Sequence, residues 1–219
     1  MAYAPNPRHV EIAFSSLSLS QYGKPVEFQC REIGHLLVTS GALAASDPFV
    51  SPDRPPFTQA IPAGRYPVSV AIACFGEERD ERVAFARVGL SSLPVVSWTM
   101  ALTDDQSPAA LEHDGYFGYG VDAGTGCFMD PVAGQLLAAR MDREDEYFNA
   151  ILDEMQRTYR HTRSWLDWRP SPEHAANIIC FSSGWGDGLY PSFFGFSSQG
   201  QLCSLLTDFL ILSDTENAA

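Results

Sequence analysis

Two runs of alternating β-branched residues face each other across a short charged tip, and they constrain the fold more than any other part of the chain. Pro67 to Phe75 (PVSVAIACF) places Val68, Val70 and Ile72 at every second position. That is the period at which side chains return to one face of a strand. Gly76 to Asp80 supplies the tip, and Arg82 to Leu90 (RVAFARVGL) returns with Val83, Phe85 and Val88 as inward candidates. Further strands are predicted at Gly34–Ser40, Pro94–Met100 and Asn177–Phe181. A second hairpin, Leu189–Phe196 with Gln201–Leu212, turns at Gln199-Gly200. With 17 glycines, 15 prolines and 12% aromatic residues, the composition fits many strands joined by tight turns.

Helices are fewer. Asp130 followed by Pro131 reads as an N-cap with proline at the first helical position, opening a short helix to about Arg140. The longest helix is predicted over Arg143–Trp168, where Phe148, Ile151, Leu152, Met155, Tyr159 and Leu166 share one face. Asp142 is its expected cap, Glu144, Asp145 and Glu146 lie in its first turn, and Pro170 and Pro172 lie beyond its end. Asp47–Pro56 (DPFVSPDRPP) is a proline-rich loop, and the first dozen residues read as an arm or edge strand.

The expected architecture is one α+β domain over residues 1–219, with a mainly antiparallel, sandwich-like sheet core and one long amphipathic helix packed on it. Residues 1–33 form an N-terminal arm or edge segment and 214–219 a polar tail. A chain of 219 residues buries about 70% of its unfolded surface and needs no disulfide or metal to fold.

Formal net charge is −13, with Lys24 the only lysine. A field of that sign repels a phosphate backbone, so nucleic acid and anionic membrane are expected not to be partners. A basic protein or a cationic ligand suits it better, and plain solubility accounts for it equally well. Cys30, Cys74, Cys127, Cys180 and Cys203 are odd in number and form no C-x-x-C pair. The start, Met1 to Pro7, has no secretory pattern, and no apolar run reaches the roughly 18 residues that a membrane helix needs. A reducing cytoplasm with free, mostly buried thiols is the expectation.

Two loops concentrate glycine, aspartate and aromatic residues. The first is Tyr119–Phe128 (YGVDAGTGCF) and the second Ser182–Pro191 (SSGWGDGLYP). Gly118 to Ala123 matches G-x-G-x-x-A in form. The predicted helix opens too late for a dinucleotide site, however, and no lysine follows to make a phosphate loop. Asp122 can bind a cation or a hydroxyl, act as a base, or cap amides of its own loop. Asp187 stands in an Asp-Gly turn pair, and Trp185 can stack on a ligand ring or lid the core. Cys127 has no histidine partner at a recognisable spacing and reads as a buried structural thiol.

At these loops the chain resembles a bacterial family of unknown function, DUF4241. The resemblance rests on Pro62-Ala63-Gly64-Arg65-Tyr66-Pro67-Val68, on Gly118–Gly126, on Ser183–Gly188 with Tyr190-Pro191, and on Thr207-Asp208-Phe209. It spans roughly Gly34 to Leu212. It implies that Arg65, Asp122, Asp187 and Asp208 belong together, and it assigns no role to any of them.

Two functional expectations follow. In one, the domain binds, or hydrolyses, a small polar ligand between the two loops. Asp122 and Asp187 are then the catalytic pair, with or without a divalent metal. Arg65, Trp185, Asp208, Thr125 and Tyr190 are the ligand-binding residues. In the other, the chain is an acidic interaction module, such as an immunity protein neutralising a basic toxin, and the loops are architecture. The arrangement of Asp122 and Asp187 separates the two: carboxylates converging within about 6–9 Å in a concave pocket favour the first, and carboxylates spent capping backbone amides favour the second.

Overall fold

The computed structural model describes residues 2–21, 24–76, 80–144 and 146–212. The predicted polar tail, the first-turn residue Asp145 and most of the tip between Gly76 and Asp80 lie outside them. In chain order the elements are α1 (Pro7–Phe14), β1 (Ser18–Gln21), β2 (Lys24–Val38), β3 (Ala44–Ser46), β4 (Gly64–Phe75), β5 (Asp80–Gly89) and β6 (Ser97–Met100). A 3-10 turn at Pro108–Ala110 leads to β7 (Tyr119–Val121), β8 (Thr125–Met129), α2 (Pro131–Met141) and α3 (Tyr147–Gln156). Then come β9 (Trp165–Trp168), β10 (Ile178–Ser182), β11 (Gly188–Tyr190), β12 (Ser192–Phe196) and β13 (Leu202–Asp208).

All strand pairings among the described residues are antiparallel. One sheet has seven strands in the order β1-β2-β4-β5-β13-β12-β6, a second has four in the order β3-β8-β10-β9, and β7 pairs with β11 in a two-stranded ribbon. The predicted β4–β5 hairpin is at the heart of the large sheet, with Val70 opposite Ala86 and Ala71 opposite Phe85. The β12–β13 hairpin turns at Gly200, whose φ of 74° is the left-handed conformation that glycine adopts without strain.

Every residue of β8 is buried, as are the first four of β10, because both faces of the small sheet are covered. Phe128, Ile179 and Phe181 point into the core shared with the large sheet. Their neighbours Cys127, Met129, Ile178 and Cys180 point the other way, into a second core under Leu137 of α2 and Tyr147, Ile151 and Met155 of α3. The Asn177 side chain ties the sheets together: it donates to the His35 carbonyl of β2 and to Asp167 of β9, and accepts from the Leu37 amide.

The single long helix over Arg143–Trp168 does not form. Three short α-helices stand among the described residues, and the predicted span holds α3, a turn and β9. The period holds through Tyr147, Ile151 and Met155, but Leu152 and Tyr159 are exposed. The helix stops because Thr158 closes a loop on Trp165, donating to its carbonyl and accepting its amide, while His161 adopts a φ of 58°. Arg163 then turns inward to pair with buried Glu81, its Nε 2.8 Å from the carboxylate. A buried charge pair requires both partners, so the helix is given up to a contact far away in sequence. The first dozen residues are also neither a strand nor a loose arm, and the edge strand of the N-terminal segment is β1. Asn6 accepts the Arg8 amide at 3.0 Å and Pro7 occupies the first turn, which opens α1.

Candidate functional site

The two glycine loops meet. Strand β7 pairs with β11 so that Val121 faces Gly188, Gly120 faces Leu189 and Tyr119 faces Tyr190. Above this ribbon the second loop holds Gly124 from both sides. The Ser183 amide donates to the Gly124 carbonyl at 3.1 Å, and the Gly124 amide donates to the Asp187 carboxylate at 3.1 Å. The second loop is braced internally, since the Ser183 and Tyr190 hydroxyls each donate to the Gly186 carbonyl at 2.8 Å. Gly118 and Gly184 are among the positions that demand glycine here. A Cβ on Gly118 would lie 2.6 Å from the Tyr190 carbonyl oxygen. Gly184, with a φ of 55°, would place its Cβ 2.8 Å from that of Phe209.

A carboxylate absent from the sequence-based site holds the first loop in place. Asp47 is fully buried, and one of its oxygens accepts the Asp122 amide at 2.9 Å and the Ala123 amide at 2.8 Å. The other oxygen accepts the Phe49 amide at 2.9 Å. The ladder explains why Asp47 arrives there: Ser46 of β3 lies opposite Cys127 of β8, so the next residue reaches the turn that precedes β8. The signal that marks it is the dipeptide Asp47-Pro48, which repeats as Asp130-Pro131.

The predicted site residues are distributed unevenly around this frame. Asp122 and Asp187 are both exposed, and among the described residues the Asp122 carboxylate accepts no hydrogen bond. Thr125 is buried, its hydroxyl donating to the Ala123 carbonyl at 3.2 Å, and the Tyr190 hydroxyl is engaged with loop carbonyls. Asp208 is buried behind β11, accepting the Tyr3 hydroxyl and the Leu210 amide, each at 2.8 Å. Trp185 is 54% exposed, yet its ring is seated: Phe75 lies 5.5 Å away, centroid to centroid, and the Arg82 guanidinium 5.0 Å away. Arg65 stands at the other end of β4 from Phe75, a separation on the order of 30 Å along an extended strand. The structure therefore brings Asp122, Asp187, Trp185, Thr125, Tyr190 and Asp208 together and leaves Arg65 outside.

Electrostatics divide the neighbourhood into structural and available groups. Burial pushes the Cys127 thiol up to about 12, against the opposing contact with the Ser46 hydroxyl, so it stays protonated and is no nucleophile at neutral pH. Burial and the nearby Asp187 charge likewise raise the Tyr190 hydroxyl. Asp130, the predicted cap, is confirmed as one: it accepts the Val132, Thr39 and Ser40 amides and the Thr39 hydroxyl. Burial alone would raise its carboxyl, but these donors outweigh it and hold the group below the usual range. Beside the ribbon, Arg54, Tyr119 and Tyr190 help to line a cavity of about 10 Å³, room for one water. No three His, Cys, Asp or Glu side chains gather as a metal would need among the described residues.

A family model described as protein of unknown function (DUF4241) matches residues 36–207, well over half of the chain. The chain belongs to DUF4241. The match contains both glycine loops, Asp47 and Asp130, and it leaves α1 outside. No curated protein and no solved structure matches the chain. The DUF4241 assignment thus supplies membership without a chemistry, and the site's own geometry carries the functional reading.

Proposed function

We propose that the joined glycine loops are a docking face for a basic protein, with Trp185 as its anchor. One observation carries the reading: a seated but exposed indole and the 49% exposed Leu189 stand beside the exposed carboxylates of Asp122 and Asp187. An aromatic anchor ringed by polar groups is the usual anatomy of an interface hot spot. The backbone beneath is already fixed by Asp47, so little ordering entropy opposes docking. A net charge of −13 would steer a cationic partner toward it. Neutralisation of a basic toxin is one role that fits this chemistry, and the five free thiols fit a reducing cytoplasm.

Hydrolysis of a small ligand by the same loops asks for two carboxylates free to act, and Asp187 already serves the Gly124 amide. Docking is the better supported reading. The test is site-specific photo-cross-linking in cells from position 122, with position 65 as the control. Capture of a basic protein from 122 alone, abolished by Trp185→Ala in the same chain, is the expected result. Equal capture from both positions, or capture that survives Trp185→Ala, would overturn the proposal.

A further inference from the structure

A cavity lies away from the glycine loops. It has a volume of about 690 Å³ and is bounded by the first turns of α1, by the sheet at Pro67, Arg87, Gly89 and Cys203, and by residues 91–95 with Trp98. That volume falls in the range of roughly 300–1,000 Å³ typical of small-molecule sites.

Arg87 gives the cavity its character. It lies on β5 within the large sheet, opposite Ser69 and Leu206. Its guanidinium packs 3.8 Å from the centroid of the Phe14 ring. Among the described residues that guanidinium has no hydrogen bond and no ion pair. Burial pulls it below its ordinary value, and the Phe14 ring offers the charge a face but no acceptor atom. In a chain of net charge −13 a carboxylate would be easy to supply as a partner, and none of the described residues supplies one. Arg8, on the first turn of α1, lines the same space and also lacks an ion pair among the described residues. Glu11 is the only acidic residue in the lining. The helix start adds its own positive end at the rim.

We infer that this cavity binds a small organic carboxylate whose apolar body lies against Trp98. A single planar guanidinium offers a fork that matches a carboxylate with two parallel hydrogen bonds. The Ser91 and Ser92 hydroxyls offer further donors, while Leu93 and Val95 offer an apolar wall. A compact phosphate would leave that wall empty, and its second charge would face Glu11. The site shares no residue with the Trp185 face, so each proposal can fail alone.

The experiment is a protein-observed NMR titration of the full chain with phenylacetate, phenylacetamide and inorganic phosphate. Saturable shifts at the Trp98 indole and at Leu93 and Val95 are expected with phenylacetate, with phenylacetamide weaker by about tenfold or more. Arg87→Met should weaken phenylacetate by a similar factor, and Arg87→Lys by less, since it keeps the charge but loses the fork. Trp185→Ala should leave the affinity unchanged. Equal affinity for the amide, phosphate binding as tight as phenylacetate, or no saturable shift at these residues would overturn the inference. If Arg87→Met does not fold, the comparison of acid with amide on the unaltered chain decides alone.

Discussion

Asp47 and Asp130 sit at opposite ends of the same two-strand ladder and are built alike up to the point where they diverge. In each, one carboxylate oxygen accepts the amide two residues on, from Phe49 or from Val132, across an intervening proline. In each, the second oxygen reaches across the chain to a pair of consecutive amides, Asp122 and Ala123 in one case and Thr39 and Ser40 in the other. After Asp130 the backbone continues for eleven residues as α2. After Asp47 it makes one turn, closed by the Ser51 amide on the Asp47 carbonyl, and stops. Pro52 explains the stop, because it has no amide with which to continue the ladder of hydrogen bonds. Asn6-Pro7 repeats the local half of the design without the long reach, and it too starts a helix. The difference teaches that the cap is a local device. What the buried aspartates add is a cross-chain anchor, and at Asp47 that anchor is the floor of the candidate site.

Removing the anchors should have the largest effects. Asp130→Ala orphans three amides and a hydroxyl and uncaps α2, and should cost about 3 kcal/mol in urea unfolding. Asp47→Ala should cost about 2 kcal/mol, since it orphans three amides but no hydroxyl and uncaps no continuing helix. Equal losses, or a larger loss at Asp47, would break the comparison. Acid sharpens it. The Asp130 carboxyl is held below its ordinary range, so its contribution is present above the unfolded value and is lost as pH falls through the folded one. Stability of Asp130→Asn should therefore approach that of the unaltered chain as the solution is acidified.

The rim should behave oppositely. Trp185→Ala is expected to change stability by less than about 1 kcal/mol while weakening partner binding by about 2 kcal/mol or more. Asp122→Asn should stay within about 0.5 kcal/mol of the parent in stability. Asp187→Asn should lose about 1 kcal/mol, because an amide oxygen accepts from Gly124 less strongly than a carboxylate. A loss at Asp122 as large as that at Asp47 would mean that the rim is structural after all. The smallest effect concerns the thiols. Cys127 and Cys180 face each other across β8 and β10, close enough to bridge if oxidised. Alkylation of native protein should label half-buried Cys30 and Cys74 ahead of the buried Cys127, Cys180 and Cys203, and the denatured chain should show five thiols. A count of three would place a disulfide across the small sheet.

What could be read from the sequence was whatever is decided within a few residues. Asp130-Pro131 is a complete helix start, and the alternation in PVSVAIACF requires a strand wherever that segment ends up. The meeting of the two loops was legible through their cost, since flexible glycines concentrated in two segments suggest that something other than turning is required of them. Contacts between distant parts of the chain were not legible. Asp47 lies among prolines and reads as loop, because the two amides it anchors in the glycine loop lie more than seventy residues away. The helix after Arg143 loses its second half to the Glu81–Arg163 pair, whose members lie on elements that no local pattern connects. Arg87 fits the alternation of its strand well enough to pass as ordinary, and only the surrounding walls show that its charge meets the Phe14 ring and, among the described residues, no carboxylate.

Strand order in the large sheet has a consequence for how the chain comes to be folded. β13 lies between β5 and β12, with Ser204 opposite Gly89 and Phe85 opposite Asp208, so this pairing spans more than half of the chain. On the ribosome β5 would wait, its edge uncovered, while everything from Leu90 to Gln201 is synthesised. Sheets closed by such distant pairings fold slowly and pass through states with exposed edges that aggregate. A chaperone that shields the β4–β5 hairpin during synthesis should therefore raise the yield of native protein more than any single stabilising substitution in the finished fold.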